Sequence, residues 1–211
     1  AFVVPADASR RADCEALADA ALAHFGVIDM LVLNAGFTMW SRLDELEDVD
    51  LLERLMQTNS LGAAWLTRRA LPALVASKGR IVAISSLAGI AGVPTRTGYA
   101  ASKHAMFGFF DSLRIELADR GVSVTVIAPD FVRSEIHRRA IGPDGRPLGA
   151  SPMVETKIMS ADVCARVIVE AARKRRRLVI TSFRGRAMRW LRLIAPSLVD
   201  VLAARAIRRR S

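Results

Sequence analysis

Short apolar runs separated by long amphipathic stretches set the tightest limit on what this chain can fold into. Residues 2–4, 30–33, 81–85, 123–127 and 178–181 are predominantly Val, Ile, Leu, Met and Ala, the composition of strands buried on both faces. Between them, residues 10–25, 49–77, 99–120 and 161–174 space their apolar side chains at helical intervals, which predicts helices. Strands alternating with helices imply right-handed crossovers and one doubly wound parallel sheet, an α/β fold whose neighbouring strands follow sequence order. With 211 residues and 52% hydrophobic content the chain can bury one sizeable core, in the range of a single domain. Ser160 is placed to cap the start of 161–174 and Gly121 the end of 99–120. Met106, Phe110, Leu113 and Leu117 form the stripe expected to face the sheet. Phe107 and Phe109 fall off it, so the outer side of that helix is expected to pack against another subunit.

The chemistry concentrates around Tyr99, the one tyrosine in the chain. Lys103 follows four residues later, and on a helix the two side chains share a face. A free phenol titrates near ~10, and a neighbouring cation favours phenolate, so the pair can act as a general acid and base. That spacing alone also describes ordinary surface pairs, so its surroundings decide. Ser86 stands thirteen positions before Tyr99, where the run 81–85 delivers a hydroxyl to the end of a strand. Ser85 is the alternative hydroxyl. Asn59 lies in a long helix, and Asn34-Ala35-Gly36 follows the run 30–33. Asn59 could instead bond helix backbone and Asn34 could cap the strand end.

Taken in order, Asp7 after the first run, Asp29 before the second, Asn34-Ala35-Gly36, Asn59, Ile84-Ser85-Ser86-Leu87-Ala88-Gly89, Tyr99 with Lys103, and Pro129-Asp130-Phe131-Val132-Arg133-Ser134 resemble the classical short-chain dehydrogenase/reductase family. The likeness covers residues 3–182, and residues 86–117 look most like the 11-beta-hydroxysteroid dehydrogenase branch. The resemblance implies a Rossmann-like sheet and an oxidoreductase that transfers hydride between NAD(P)(H) and a carbonyl compound or secondary alcohol. It implies catalytic roles for Asn59, Ser86, Tyr99 and Lys103: Tyr99 exchanges the proton, Ser86 holds the substrate oxygen, Lys103 lowers the phenol pKa and holds the nicotinamide ribose, and Asn59 carries a water. Cofactor contacts are implied for Asp7, Ala8, Asn34, Ala35, Gly36, Tyr99, Lys103, Pro129, Val132 and Ser134, substrate contacts for Ser86 and Tyr99, and no metal.

Three departures from the family pattern stand out. No G-x-x-x-G-x-G or G-x-G-x-x-G turn occurs anywhere, although that turn receives the cofactor pyrophosphate. The chain is therefore expected to be a truncated Rossmann-like domain lacking its first two strand-helix units, with little activity alone and no readable choice between NAD and NADP. The unpartnered run 2–4 must then fray, pair beside 30–33 or find another chain. Asp130 replaces a glycine after Pro129, and Ser134 replaces a threonine.

The formal net charge of +10 is uneven. Residues 166–211 hold 14 Lys and Arg against Glu170 and Asp200, whereas the rest holds 17 against 19. We divide the chain into a Rossmann-like body, 1–183, and a basic extension, 184–211, in which arginines interleave with Trp190, Leu191, Leu193 and Ile194 and Pro196 separates two helices. The extension could pack on the body or a dimer partner, lie on a membrane surface, or, least well supported by its composition, touch nucleic acid. Residues 131–159, rich in Gly and Pro, are expected to form a substrate lid, with His137 solvated. Cys14 and Cys164 lie in separate helices, which argues against a disulfide or metal framework and favours a reducing, cytoplasmic setting, with peripheral membrane attachment through the tail as one option. Expected partners are a small carbonyl or alcohol substrate and a homo-oligomer through 49–77 and 99–120, with no nucleic acid. The alternative from a different class is a non-catalytic membrane-surface or protein-interaction module on the same fold.

Overall fold

The computed structural model describes residues 1–153 and 158–208. Four strands, β1 (Met30–Leu33), β2 (Arg80–Ile84), β3 (Ser123–Ala128) and β4 (Leu178–Ile180), lie in sequence order in one parallel sheet. Val32 pairs with Val82, Val82 with Thr125, and Ile127 with Val179. The helices are α1 (Arg11–Phe25), α2 (Asp50–Met56), α3 (Gly62–Ala76), α4 (Thr97–Glu116), α5 (Ala161–Arg173), α6 (Phe183–Ile194) and α7 (Pro196–Arg208).

Alternation along the strands sorts the side chains into two layers. Leu33, Ile81, Ala83, Val124 and Val126 pack with Ala18 of α1, Ala70 and Leu74 of α3, and Met106, Phe110 and Leu113 of α4. On the opposite face Val82 and Ile127 pack with Ala171 and Ala172 of α5. That cover stops short of β1, where Met30 and Val32 remain exposed. Gly121 closes the turn after α4 with φ 74°, a left-handed conformation that suits glycine. The Ser160 hydroxyl accepts from the Val163 N–H at the start of α5.

Residues 2–4 correct an expectation: they form no strand. No neighbouring strand offers them a ladder, and an extended segment without one leaves its backbone to water. Phe2 instead stacks on His24 at 4.1 Å and meets Phe25 edge-on, anchoring the N-terminal segment to α1.

The expected helix over 49–77 is interrupted. Between α2 and α3 the turn Gln57–Leu61 is π-helical and carries Asn59 at its centre. The extra residue in that turn re-aims the side chain it carries, a feature often found at functional positions.

Candidate active site

Ser86, Tyr99, Lys103 and Asn59 meet at the C-terminal end of the sheet, where open α/β folds bind ligands. β2 ends just before Ser85 and Ser86, and Ser86 begins a tight turn by accepting the Ala88 N–H at 3.2 Å. Ser85 is buried, and its hydroxyl donates to the Lys103 carbonyl at 3.0 Å. That bond commits Ser85 to holding α4 and leaves Ser86, the hydroxyl that the thirteen-residue spacing favours, beside Tyr99.

Tyr99 and Lys103 are both buried on the first two turns of α4. The Lys103 Nζ lies 5.8 Å from the Tyr99 ring centroid and donates to the Ile84 carbonyl at 2.9 Å. Burial is the dominant influence on the phenol and raises its pKa; the Ser86 hydroxyl and then the Arg96 guanidinium pull it down. The net direction is thus set by burial, with Ser86 and Arg96 opposing it. The ammonium is turned to a backbone carbonyl, and its own pKa is lowered to about 8 by burial.

That depression has a measurable sign. A lysine titrating near 8 in the folded chain and near 10.5 when unfolded leaves the unfolded state binding more protons between those values, so stability rises with pH across that window. The cost of burying the charge is fully present below pH 8 and on the order of 3 kcal/mol. We expect denaturant unfolding at pH 7, 8.5 and 9.5 to show wild type gaining stability relative to Lys103→Met. A constant difference between the two would contradict a depressed lysine.

Asn59 is fully buried and pairs with both polar groups of Phe37: Oδ1 accepts its N–H at 2.9 Å and Nδ2 donates to its carbonyl at 3.0 Å. Nδ2 also donates to Ser102 Oγ at 2.9 Å. Asn59 therefore bonds the loop after β1 and α4, tying three elements of the site together. Gly36 fits there because a Cβ would stand 2.7 Å from Asn59 Oδ1. Asn34, Ala35 and Gly36 form an exposed ledge at the end of β1.

The outlying residues divide. Asp7 is exposed, accepts from the Ser9 N–H and O–H, and is held below the usual carboxylate range by those bonds. Ala8 lies with its carbonyl against Gly62, so both sit above the start of α3. Pro129 accepts the Leu87 N–H, and Val132 bridges to Met159. Ser134 is exposed in a bend beyond them. Asp130 turns its carboxylate toward the β4–α6 junction, accepting from Ser182 Oγ at 2.7 Å and the Phe131 N–H at 2.9 Å.

Within 131–159, residues 154–157 lie outside the described part. The remainder docks on the loop after β1, with the Trp40 N–H donating to Ile141 and the Ile141 N–H to Thr38. His137 corrects another expectation, because it is buried against Phe131 rather than solvated. Arg96 escaped the sequence reading. It is buried one turn before Tyr99, with its guanidinium 4.4 Å from the Trp40 ring and 5.5 Å from that of Phe131. Its position three residues ahead of Tyr99 was the available signal.

Comparison with known proteins places these residues in a family context. The sequence profile described as short chain dehydrogenase matches residues 1–142. "Dehydrogenase/reductase SDR family member 7B" of Rattus norvegicus is 37% identical over 94% of this chain and 63% of its own length. "11-beta-hydroxysteroid dehydrogenase 1A" of Arabidopsis thaliana is 32% identical over 93% of this chain and 58% of its own length. The chain thus spans about three-fifths of these relatives. Among solved structures, a short-chain dehydrogenase/reductase from Burkholderia phymatum in complex with NAD superimposes with a TM-score of 0.80 at 27% identity, covering 93% of this chain and 76% of that one. One from Burkholderia cenocepacia in complex with NADP gives 0.78 at 19% identity, over 95% and 77%, a likeness of fold. The ordered site residues and these matches agree: the chain belongs to the short-chain dehydrogenase/reductase family.

Proposed function

We propose that this chain carries the proton-transfer site of a NAD(P)(H)-dependent oxidoreductase acting on a moderately apolar ketone or secondary alcohol. The observation that carries this reading is the meeting of the Ser86 hydroxyl and the Tyr99 phenol at the C-terminal end of the sheet, with Lys103 buried one helical turn along α4. A reduced nicotinamide, when bound, supplies hydride to a carbonyl carbon, and its oxidised form takes hydride back from an alcohol. Tyr99 gives its proton to the oxygen as negative charge develops there, and Ser86 stabilises that charge by donating a hydrogen bond. Burial lowers the Lys103 pKa to about 8, within reach of the working pH, so the ammonium can return a proton toward the phenol. Asn59, through Phe37 and Ser102, fixes the spacing of these groups.

The residues fit the nicotinamide end of such a cofactor. Gly36 leaves room beside Asn59 and Lys103, and Asn34 and Ala35 extend the exposed ledge. Pro129, Val132 and Ser134 lie on the chain leaving β3, and Asp7 and Ala8 mark the far, adenine side. The sequence holds no glycine-rich turn for the pyrophosphate, and several charge-assisted bonds of ~1.5 to 3 kcal/mol each depend on such a turn. These residues alone are therefore expected to turn over little. The second reading is a non-catalytic interaction module on this fold.

Exposed Phe109 and Ile115 on the outer side of α4 support self-association through that helix and α2–α3. The free, buried Cys14 and Cys164 suit a reducing, cytoplasmic setting. Residues 1–183 serve as the catalytic body and 184–211 as the basic extension, whose last three residues lie outside the described part.

The test joins a glycine-rich strand-turn-helix unit of the family pattern ahead of Ala1 and follows nicotinamide absorbance with NADH or NADPH and a panel of ketones. Consumption of reduced cofactor dependent on a ketone is expected. A folded chimera that binds cofactor and reduces none of them would favour the non-catalytic module.

A further inference from the structure

The face that α6 turns to solvent is its apolar one. Phe183, Ala187, Trp190 and Ile194 recur at spacings of four, three and four residues and line one side of the helix. Phe183 is 77%, Trp190 64% and Ile194 82% exposed. The opposite side meets the body: a Cβ on Gly185 would stand 2.5 Å from Leu87 Cδ2, and Arg192 donates to the Ile90 carbonyl and lies 3.3 Å from the His104 ring. The helix is therefore held with its aromatic stripe outward. After Pro196 the pattern continues on α7, where Leu198, Val201 and Leu202 are exposed and Val199 is buried.

Cations flank the stripe. The Arg189 guanidinium lies 5.9 Å from the Trp190 ring and that of Arg186 lies 6.0 Å from the Phe183 ring, while Arg184 is exposed beside them. Residues 183–205 contain five arginines and one acid, Asp200. Scattered exposed apolar residues are ordinary on a soluble protein; an aligned aromatic and aliphatic stripe bordered by one sign of charge is not. Among the described residues no helix is long and apolar enough to cross a membrane.

We propose that α6 and α7 form an interfacial surface for an anionic lipid bilayer, with Phe183, Trp190 and Ile194 entering the headgroup boundary and Arg184, Arg186 and Arg189 meeting lipid phosphates and carboxylates. Apolar burial and cationic attraction together are what such a helix needs, and arginine stems can lie along the apolar boundary while their heads stay at the headgroups. Charge decides against a second copy of the chain as occupant. A two-fold contact through this face sets the same arginine-rich patch against itself, with Asp200 as the one acid to offset it.

Vesicle binding reads this surface without any contribution from turnover. The 211-residue chain is sedimented with phosphatidylcholine vesicles containing phosphatidylserine, and with phosphatidylcholine vesicles alone. Binding to the mixed vesicles that falls as salt rises is expected, with affinity for neutral vesicles weaker by about tenfold or more. Phe183→Ser with Trp190→Ser is expected to reduce binding to mixed vesicles by about tenfold or more, with an unchanged circular dichroism spectrum. Should those substitutions disturb the spectrum, Arg184→Gln with Arg189→Gln tests the charged half and is expected to weaken binding with the fold intact. Equal binding to both vesicle types, unchanged binding in the folded variants, or a dimer in solution that the stripe substitutions dissociate would overturn the proposal.

Discussion

Replacing Tyr99 by Phe should lower ketone reduction by about 10²- to 10⁴-fold, the range that a positioned general acid contributes. The change removes one oxygen from a ring that is otherwise packed. Tyr99 is buried with Met39, Leu55 and Ala100, so the phenylalanine ring keeps its contacts and the fold should not change. What disappears is the proton that meets the developing alkoxide. Burial holds the phenol pKa above its ordinary value, which keeps Tyr99 protonated at neutral pH and suits it to donate in the direction of reduction. The loss should therefore appear in kcat, with cofactor affinity nearly unchanged. Equal turnover of wild type and Tyr99→Phe in the glycine-turn chimera would remove Tyr99 from the chemistry.

The largest expected effect on stability comes from the same helix. Phe110 is completely buried, in the layer between α4 and the strands, together with Met106 and Leu113. Phe110→Ala should cost about 3–5 kcal/mol, the sum of lost transfer free energy and the cavity left behind. That is a large share of the ~5–15 kcal/mol that holds a typical domain folded. Because Tyr99 and Lys103 ride on the first turns of α4, loosening its sheet-facing stripe should also blur the site. Phe110→Leu keeps most of the volume and should cost less than half as much. Urea unfolding of the three proteins measures the difference, and a loss below about 1 kcal/mol for Phe110→Ala would mean that the cavity collapses or the helix is not fixed there.

The parts of the fold that depend on local pattern were legible in the sequence. Buried runs located four strands and their order, and the stripe of Met106, Phe110, Leu113 and Leu117 located the inner face of α4, because each reports a periodicity of burial that the chain carries in itself. Residues 2–4 read the same way and form no strand, since a strand is a property of two segments and no strand among the described residues lies beside them. The π-helical turn at Asn59 could not be read either. It arises from the fit of Asn59 to Phe37 and Ser102, residues 22 and 43 positions away.

The site divides along the same line. Ser86, Tyr99 and Lys103 were singled out by their order and spacing, and the sequence could rank Ser86 over Ser85 but not explain the ranking. The bond from Ser85 to the Lys103 carbonyl supplies the reason. Electrostatics were least legible, because a pKa depends on what surrounds a group in three dimensions. Spacing points to Lys103 as a cation near the phenol, but it could not show that burial dominates or that Arg96 contributes from a position between two aromatic rings. His137 reads as a loop residue and is enclosed. Asp130 reads as an intrusion near the cofactor, and its carboxylate is occupied at the β4–α6 junction.

The central claim is that Ser86 and Tyr99 act on one substrate oxygen as a unit, and a double-mutant cycle measures this directly. Ketone reduction is compared in the chimera bearing the wild-type site, Ser86→Ala, Tyr99→Phe, and both substitutions together. If the two side chains share the oxygen, the double variant should be little slower than Tyr99→Phe alone, because the contribution of Ser86 depends on charge that Tyr99 helps to develop. Losses that multiply, each substitution exacting its full cost in the presence of the other, would show two independent groups and contradict the account.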